Sequence, residues 1–215
     1  MRLLSFILLI TVFLLTLSAG GDREGKWQFS FTPQYISSKT LTFGNKGEVD
    51  FNDRSGWGFG IGYNVSDYIS LDLNFLSSNG SYNGHVNEDN GTISNYSGNM
   101  YSSSVDVAIT YNIIDDAFTP YVSANLGSSF VDSGVPTGNI YAGTCYDPYY
   151  GYYYPCYDAE THTTVKFNYG VGAGLRYDFR NKLFLKGGVN LNVLDFDSDH
   201  FPYFISYQLS VGATF

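Results

Sequence analysis

Apolar and polar residues alternate along most of this chain. The sharpest stretch starts at Val165. Its odd positions read Val165, Phe167, Tyr169, Val171, Ala173, Leu175, Tyr177 and Phe179, and its even positions Lys166, Asn168, Gly170, Gly172, Gly174, Arg176 and Asp178. Side chains alternate faces along a strand, so this period predicts a strand with one greasy and one polar side. The pattern recurs at about Lys26–Ile36, Gly56–Val65, Tyr68–Ser77, Met100–Ile113, Thr119–Val131, Leu183–Val193 and Tyr203–Phe215. In the first, Trp27, Phe29, Phe31 and Tyr35 oppose Gln28, Ser30, Thr32 and Gln34; in the second, Trp57, Phe59, Ile61 and Tyr63 oppose Gly58, Gly60 and Gly62. Pro33 has no N–H for a ladder, which predicts a place near a strand end.

The connections alternate too. Short turns are expected at Asn64–Asp67, around Asp115 and Asp116, and at Arg180–Lys182. Long polar segments are expected at Ser37–Ser55, Ser78–Asn99 and Asp132–Thr163, with a short acidic one at Asp195–Phe201. An even strand count with long and short connections in alternation is the pattern of a transmembrane β-barrel. Closure pairs every backbone group internally, which lipid demands. The fold class expected is therefore all-β, an eight-stranded antiparallel up-and-down transmembrane β-barrel. Aromatic girdles are expected at Trp27, Tyr63, Tyr111, Tyr177 and Phe215 on the periplasmic side, and at Tyr35, Trp57, Phe75, Phe130 and Phe167 on the outer side.

The N-terminus adds a compartment. Arg2, the apolar run Leu3–Leu17 and the small residues Ser18-Ala19-Gly20 describe a secretory signal peptide cleaved after Ala19 or Gly20. Residues 1–20 are thus read as signal and 21–215 as one barrel domain. The run is short for a membrane helix, which needs roughly 20 residues. Charged residues are 14% of the chain and aromatics 18%, with 20 Tyr and 24 Gly. A soluble domain carries about 25% charged residues. A net charge of -9 argues against nucleic acid, since phosphate binding needs Lys and Arg.

Two resemblances follow from particular residues. The last strand, with Tyr207, Leu209, Val211, Ala213 and the terminal Phe215 on one face, resembles the C-terminal signal of bacterial outer-membrane barrels. The segments Thr119–Gly127 and Tyr169–Phe179 resemble the small outer-membrane β-barrel family, porin-like and of the OmpA/OmpX type. That resemblance implies a Gram-negative outer membrane, extracellular loops and periplasmic termini. It implies lipid and lipopolysaccharide as surroundings, and the barrel-assembly machinery as a partner in biogenesis. No peptidoglycan-binding domain is expected after the last strand.

Candidate chemistry lies inside the barrel and in the loops. Eight strands leave a lumen about filled by side chains. Asp72, Asp106, Lys166, Arg176, Asp178 and Lys186 take inward positions, and a turn centred near Asn181 sets Arg176 opposite Lys186. Like charges opposite one another need anions. This predicts a buried charge cluster plugging the barrel; charges simply bathed in lumen water are the alternative. Cys145 and Cys156 are the two cysteines, expected to pair in an exported protein. The disulfide would close a loop holding Tyr146, Tyr149, Tyr150, Tyr152, Tyr153 and Tyr154, either a recognition surface or a cap over the barrel mouth. Asp195, Asp197 and Asp199 alternate before His200 and are a calcium candidate that lacks the Gly and Glu of an EF-hand loop; a solvated acidic loop is the alternative.

No cofactor is expected. An enzyme of the lipid A deacylase kind would place a His and a Ser two apart near lipid. His85, His162 and His200 form no such pair. The reading is a non-enzymatic surface barrel, structural or adhesive through its loops toward an extracellular ligand or host surface. A small pore for ions or solutes is the alternative.

Overall fold

The computed structural model describes residues 22–42, 47–87, 92–147, 152–195 and 202–215. The expected signal peptide lies outside them. Ten strands are present: β1 (Trp27–Ile36), β2 (Lys39–Thr42), β3 (Gly47–Phe51), β4 (Arg54–Asn64), β5 (Ile69–Asn87), β6 (Ile93–Asn112), β7 (Phe118–Asp147), β8 (Tyr152–Asp178), β9 (Leu183–Leu194) and β10 (Tyr203–Thr214). Eight of them, all but β2 and β3, form a closed antiparallel up-and-down barrel. The ladder runs β5-β4-β1-β10-β9-β8-β7-β6, and β6 pairs with β5 to close it. β1 and β10 are joined from Gln28 opposite Thr214 to Ile36 opposite Ser206.

The alternation read from sequence becomes the division between outside and lumen. On β1 the exposed residues are Trp27, Phe29, Phe31, Pro33 and Tyr35, and Gln28, Thr32, Gln34 and Ile36 are buried. The apolar side of a barrel strand faces lipid and the polar side the interior, the reverse of a soluble protein. Girdle aromatics pack with neighbours along the wall. Trp27 and Tyr63 lie 5.2 Å apart, Trp57 and Phe75 6.2 Å, and Tyr177 meets Phe179 edge-on at 4.6 Å.

Two expectations change. Pro33 lies inside β1, not near its end. The β1–β10 ladder is broken there: it pairs Phe31 with Val211 and resumes at Gln34 with Gln208. A side-chain contact, Thr32 Oγ1 to Ser210 Oγ at 2.8 Å, spans the gap. The long polar segments also hold more strand than loop. Ser37–Ser55 folds into the β2–β3 hairpin, and β3 adds to the outer part of β5, with Phe51 opposite Tyr82. β5 and β6 stay paired to Asn87 opposite Ile93, and β7 and β8 to Asp147 opposite Tyr152. Above the membrane both faces are wet, so the backbone ladder continues while the apolar alternation disappears. The 16 residues of β7 from Asp132 reach about 50 Å at ~3.3 Å per residue.

Small inward residues let the wall close tightly around long ones. A methyl group on Gly62 would sit 2.0 Å from Asp72 Oδ1, and one on Gly174 would sit 2.2 Å from the Gly187 carbonyl oxygen. The glycine stripe of β4 and β8 is thus the space into which polar side chains of neighbouring strands lie down, Asp72 and Asn74 against β4 and Asn190 and Asn192 against β8.

Candidate functional site: a layered lumen under an extracellular strand platform

The lumen is filled in layers. The lowest is the segment just before β1, folded across the periplasmic mouth. Arg23 is 2% exposed. Its Nε donates to Asp178 Oδ2 at 2.8 Å, its Nη1 to the Asp67 carbonyl at 2.8 Å, and its Nη2 to the Asp116 carbonyl. Its backbone N–H donates to Asp67 Oδ1 at 2.8 Å. One side chain therefore ties the β4–β5 turn, the β6–β7 turn and the end of β8 together.

Above it lies the predicted charge cluster. Arg176 stands opposite Lys186 in the β8–β9 ladder, as the turn position implied. Asp178 on the same strand resolves the conflict, accepting from Arg176 Nη2 at 2.8 Å and from Nε at 3.0 Å. Arg176 Nη1 donates to Gln28 Oε1 at 3.0 Å, and the guanidinium lies 4.5 Å from the centre of the Phe184 ring. Lys186 turns away to face Tyr121, 5.1 Å from its ring. Asp72 accepts from Gln28 Nε2, from Ser70 Oγ at 3.0 Å and from Thr110 Oγ1 at 3.3 Å.

The sequence-read set divides at this point. Arg176, Asp178, Asp72 and Lys186 come together. Asp106 is higher, held by Asn168 Nδ2 at 2.8 Å and Ser104 Oγ at 3.2 Å. Lys166 is ten residues up β8 from Arg176, opposite Ser129 near the outer rim, and does not join the cluster. Residue type and parity gave all six a lumen position; strand height separated Lys166. Sequence reasoning missed Arg23, Gln28, Tyr121 and Phe184. Gln28 and Tyr121 carried a usable signal, because both have inward parity at that height. Nothing local marked Arg23.

A cavity of about 80 Å³ lies over this layer, with Asp72, Asp106, Tyr121 and Lys186 in its wall. A second, of about 70 Å³, lies toward the outside. The two share Leu76, Asp106 and Asn192. Ile36, Tyr82, Met100 and Phe204 are buried at the extracellular end. Phe51 from the β2–β3 hairpin packs edge-on against Phe204 at 5.9 Å, and the Tyr82 hydroxyl donates to the Ser133 carbonyl at 2.9 Å.

The extracellular platform stands on two carboxylates. Asp53 accepts the Ser38 N–H at 2.6 Å. Asp132, above the outer girdle, accepts from Thr161 Oγ1 at 2.6 Å and from the Gly134 N–H at 2.8 Å. The Thr161 hydroxyl first and the Gly134 amide second hold the Asp132 carboxyl below its ordinary value. For Asp53 the Tyr35 hydroxyl acts first and the Ser38 amide next. A depressed carboxylate contributes its attachment above the ordinary pKa of about 3.9 and loses it as pH falls through the lowered value. The Gly134 amide resonance is expected to titrate with a midpoint below that ordinary value, and Thr161→Val to raise the midpoint. A midpoint unchanged by the substitution would refute the assignment.

The loop candidates are only partly described. Cys145 lies opposite Tyr154 and Cys156 opposite Gly143, two register positions apart along the β7–β8 ladder. Tyr146 lies opposite Tyr153. Tyr153 is 72% exposed. Tyr149 and Tyr150 lie outside the described residues, as do Asp197, Asp199 and His200. Asp195 follows β9, its N–H donating to the Phe167 carbonyl at 2.9 Å. The C-terminal residues Tyr207, Leu209, Val211 and Phe215 face lipid, with Ala213 half-buried between neighbours.

Solved structures share this architecture. Neisserial surface protein A superposes with a TM-score of 0.56 at 12% identity, covering 89% of this chain and 100% of that one. OprG from Pseudomonas aeruginosa gives 0.54 at 8% identity, covering 91% and 98%. Ail, the attachment invasion locus protein of Yersinia pestis, solved with the heparin analogue sucrose octasulfate, gives 0.51 at 12%, covering 89% and 99%. No curated protein matches the chain. Residues 6–215 match the family described as the outer membrane protein beta-barrel domain. With its closed eight-stranded wall, lipid-facing aromatics and polar lumen, the chain belongs to that family and is an outer-membrane barrel with loops outside and termini in the periplasm.

Proposed function

We propose that this is a non-enzymatic surface barrel that acts through its extracellular strands, in adhesion or recognition. The carrying observation is the contrast between its two halves. The lumen is occupied layer by layer, from Arg23 through the Arg176 layer to Phe204, while β5–β8 continue far beyond the membrane. Material spent on an extended outer platform supports a role at the surface over a role in passage. The platform is acidic: Asp132, Asp147, Asp158 and Glu160 occur in its longest part without a single Lys or Arg between residues 132 and 163. That charge suits a cationic partner surface and opposes a sulfated polyanion of the kind seen with Ail. Paired Cys145 and Cys156 would stiffen the Tyr-rich tip, lowering the ordering cost of contact.

Conductance of the refolded barrel in a planar bilayer tests the reading. A silent membrane is expected, with folding confirmed by the heat-dependent gel shift of intact barrels. Reproducible current steps would instead favour the small pore. A variant with residues 133–161 replaced by a short turn should fold and lose binding to polylysine-coated beads. Equal binding by both forms would remove the platform from the account.

A further inference from the structure

We propose that the outer half of the lumen holds a small anion on Arg54. Arg54 begins β4 and shares the inward parity of Gly56, Gly58, Gly60 and Gly62. It is 7% exposed. Its guanidinium lies 4.8 Å from the centre of the Phe204 ring, and Nη1 reaches only Met100 Sδ, at 3.9 Å. Nε is buried with no acceptor at all. No carboxylate among the described residues lies within ion-pair distance of it. A desolvated cation in this condition is costly unless a counter-charge reaches it.

The space beside it is a site, not a packing gap. Arg54 lines the outer cavity of about 70 Å³. Ser206 Oγ and Asn168 Oδ1 line the same cavity, and both are also buried without a hydrogen-bond partner. Two orphaned donors, Arg54 Nε and Ser206 Oγ, thus share one chamber with an orphaned acceptor, Asn168 Oδ1; a bound ion or water is the usual remedy for the donors, and water for the acceptor. Water would satisfy the hydrogen bonds but not the charge. The one carboxylate in the wall, Asp106, is already engaged by Asn168 and Ser104. Among the described residues the deeper carboxylates are engaged as well, Asp178 by Arg23 and Arg176, and Asp72 by Gln28, Ser70 and Thr110, so neither answers Arg54. The ligand is therefore a small monovalent anion of chloride, nitrate or formate size. It accepts from Arg54 Nε and Ser206 Oγ, with Asp106 limiting its affinity.

The test follows the Arg54 Nε–Hε resonance of the folded barrel in zwitterionic lipid nanodiscs. Chloride, nitrate and formate are titrated at constant ionic strength against gluconate, which is too large for the chamber. A saturable shift at Arg54, absent from the other arginines, is expected. Asp106→Asn should tighten binding several-fold, and Arg54→Gln, folded by gel shift, should abolish it. Should Arg54→Gln fail to fold, bromide-soaked crystals of the unaltered barrel decide the matter: anomalous density against Nε supports the site. A shift that grows linearly and equally at every arginine, or an empty bromide map, would mean that the chamber holds water alone.

Discussion

Arg176→Met is expected to cost the barrel about 3 kcal/mol, the lower end of the roughly 3–5 kcal/mol seen when one partner of a buried ion pair is removed. Arg176 is 0% exposed and makes a two-point contact with Asp178, a bond to Gln28 and a stacking contact with Phe184. Met fills much of the volume but leaves Gln28 Oε1 without the Arg176 donor and Asp178 with Arg23 alone. Two effects hold the loss below the top of the range. Arg23 still grips Asp178, and the repulsion between Arg176 and Lys186 across the ladder disappears. Arg176→Lys should fall between the two, because an ammonium keeps the charge and loses the planar fork. Urea unfolding followed by fluorescence of Trp27 and Trp57 gives the number. A loss below about 1 kcal/mol would mean that the charges of this layer are effectively solvated, and the plug reading would fail.

Arg23→Ala should have the next largest effect, on the order of 2–4 kcal/mol, from three charge-assisted contacts at about 1.5–3 kcal/mol each, partly recovered by water. Its location makes the loss local. Arg23 bridges the turns at 65–68 and 113–117 through the Asp67 and Asp116 carbonyls, beside the backbone bond from the Asn112 N–H to the Tyr68 carbonyl. Their amides should exchange faster in the variant, while those of the outer β5–β6 ladder keep their protection. The bilayer should stay silent, since the Arg176 layer remains in place above. Uniform loss of protection around the barrel would show that Arg23 supports the whole wall and not the mouth.

The same pair of arginines shows how far the chain could be read in advance. Arg176 was legible because it stands in an unbroken alternation, where parity gives the face and a three-residue turn gives the partner. Lys166 obeyed the same parity and was placed in the lumen, yet its height on a long strand keeps it from the cluster. Arg54 was missed although its parity matches the glycines after it. The apolar signal of that strand starts only at Trp57, so Arg54 fell into a stretch taken for loop. The β2–β3 hairpin and the outer halves of β5–β8 were missed for a related reason. Period-two patterning reports a difference between two solvents, and outside the membrane both faces meet water.

Sequence by itself determined the barrel. Eight alternating stretches, unequal connections and aromatic ends leave one way to satisfy every backbone group in lipid, and that requirement is local and periodic. It also determined which residues face inward. Tertiary structure alone decided which inward residues meet. Strand register and stagger brought Arg23 under Asp178 across 155 residues, kept Lys166 away from both, and left Arg54 facing a chamber whose one carboxylate, Asp106, is held by Asn168 and Ser104. Those outcomes depend on heights around a closed wall, a quantity that no single strand carries.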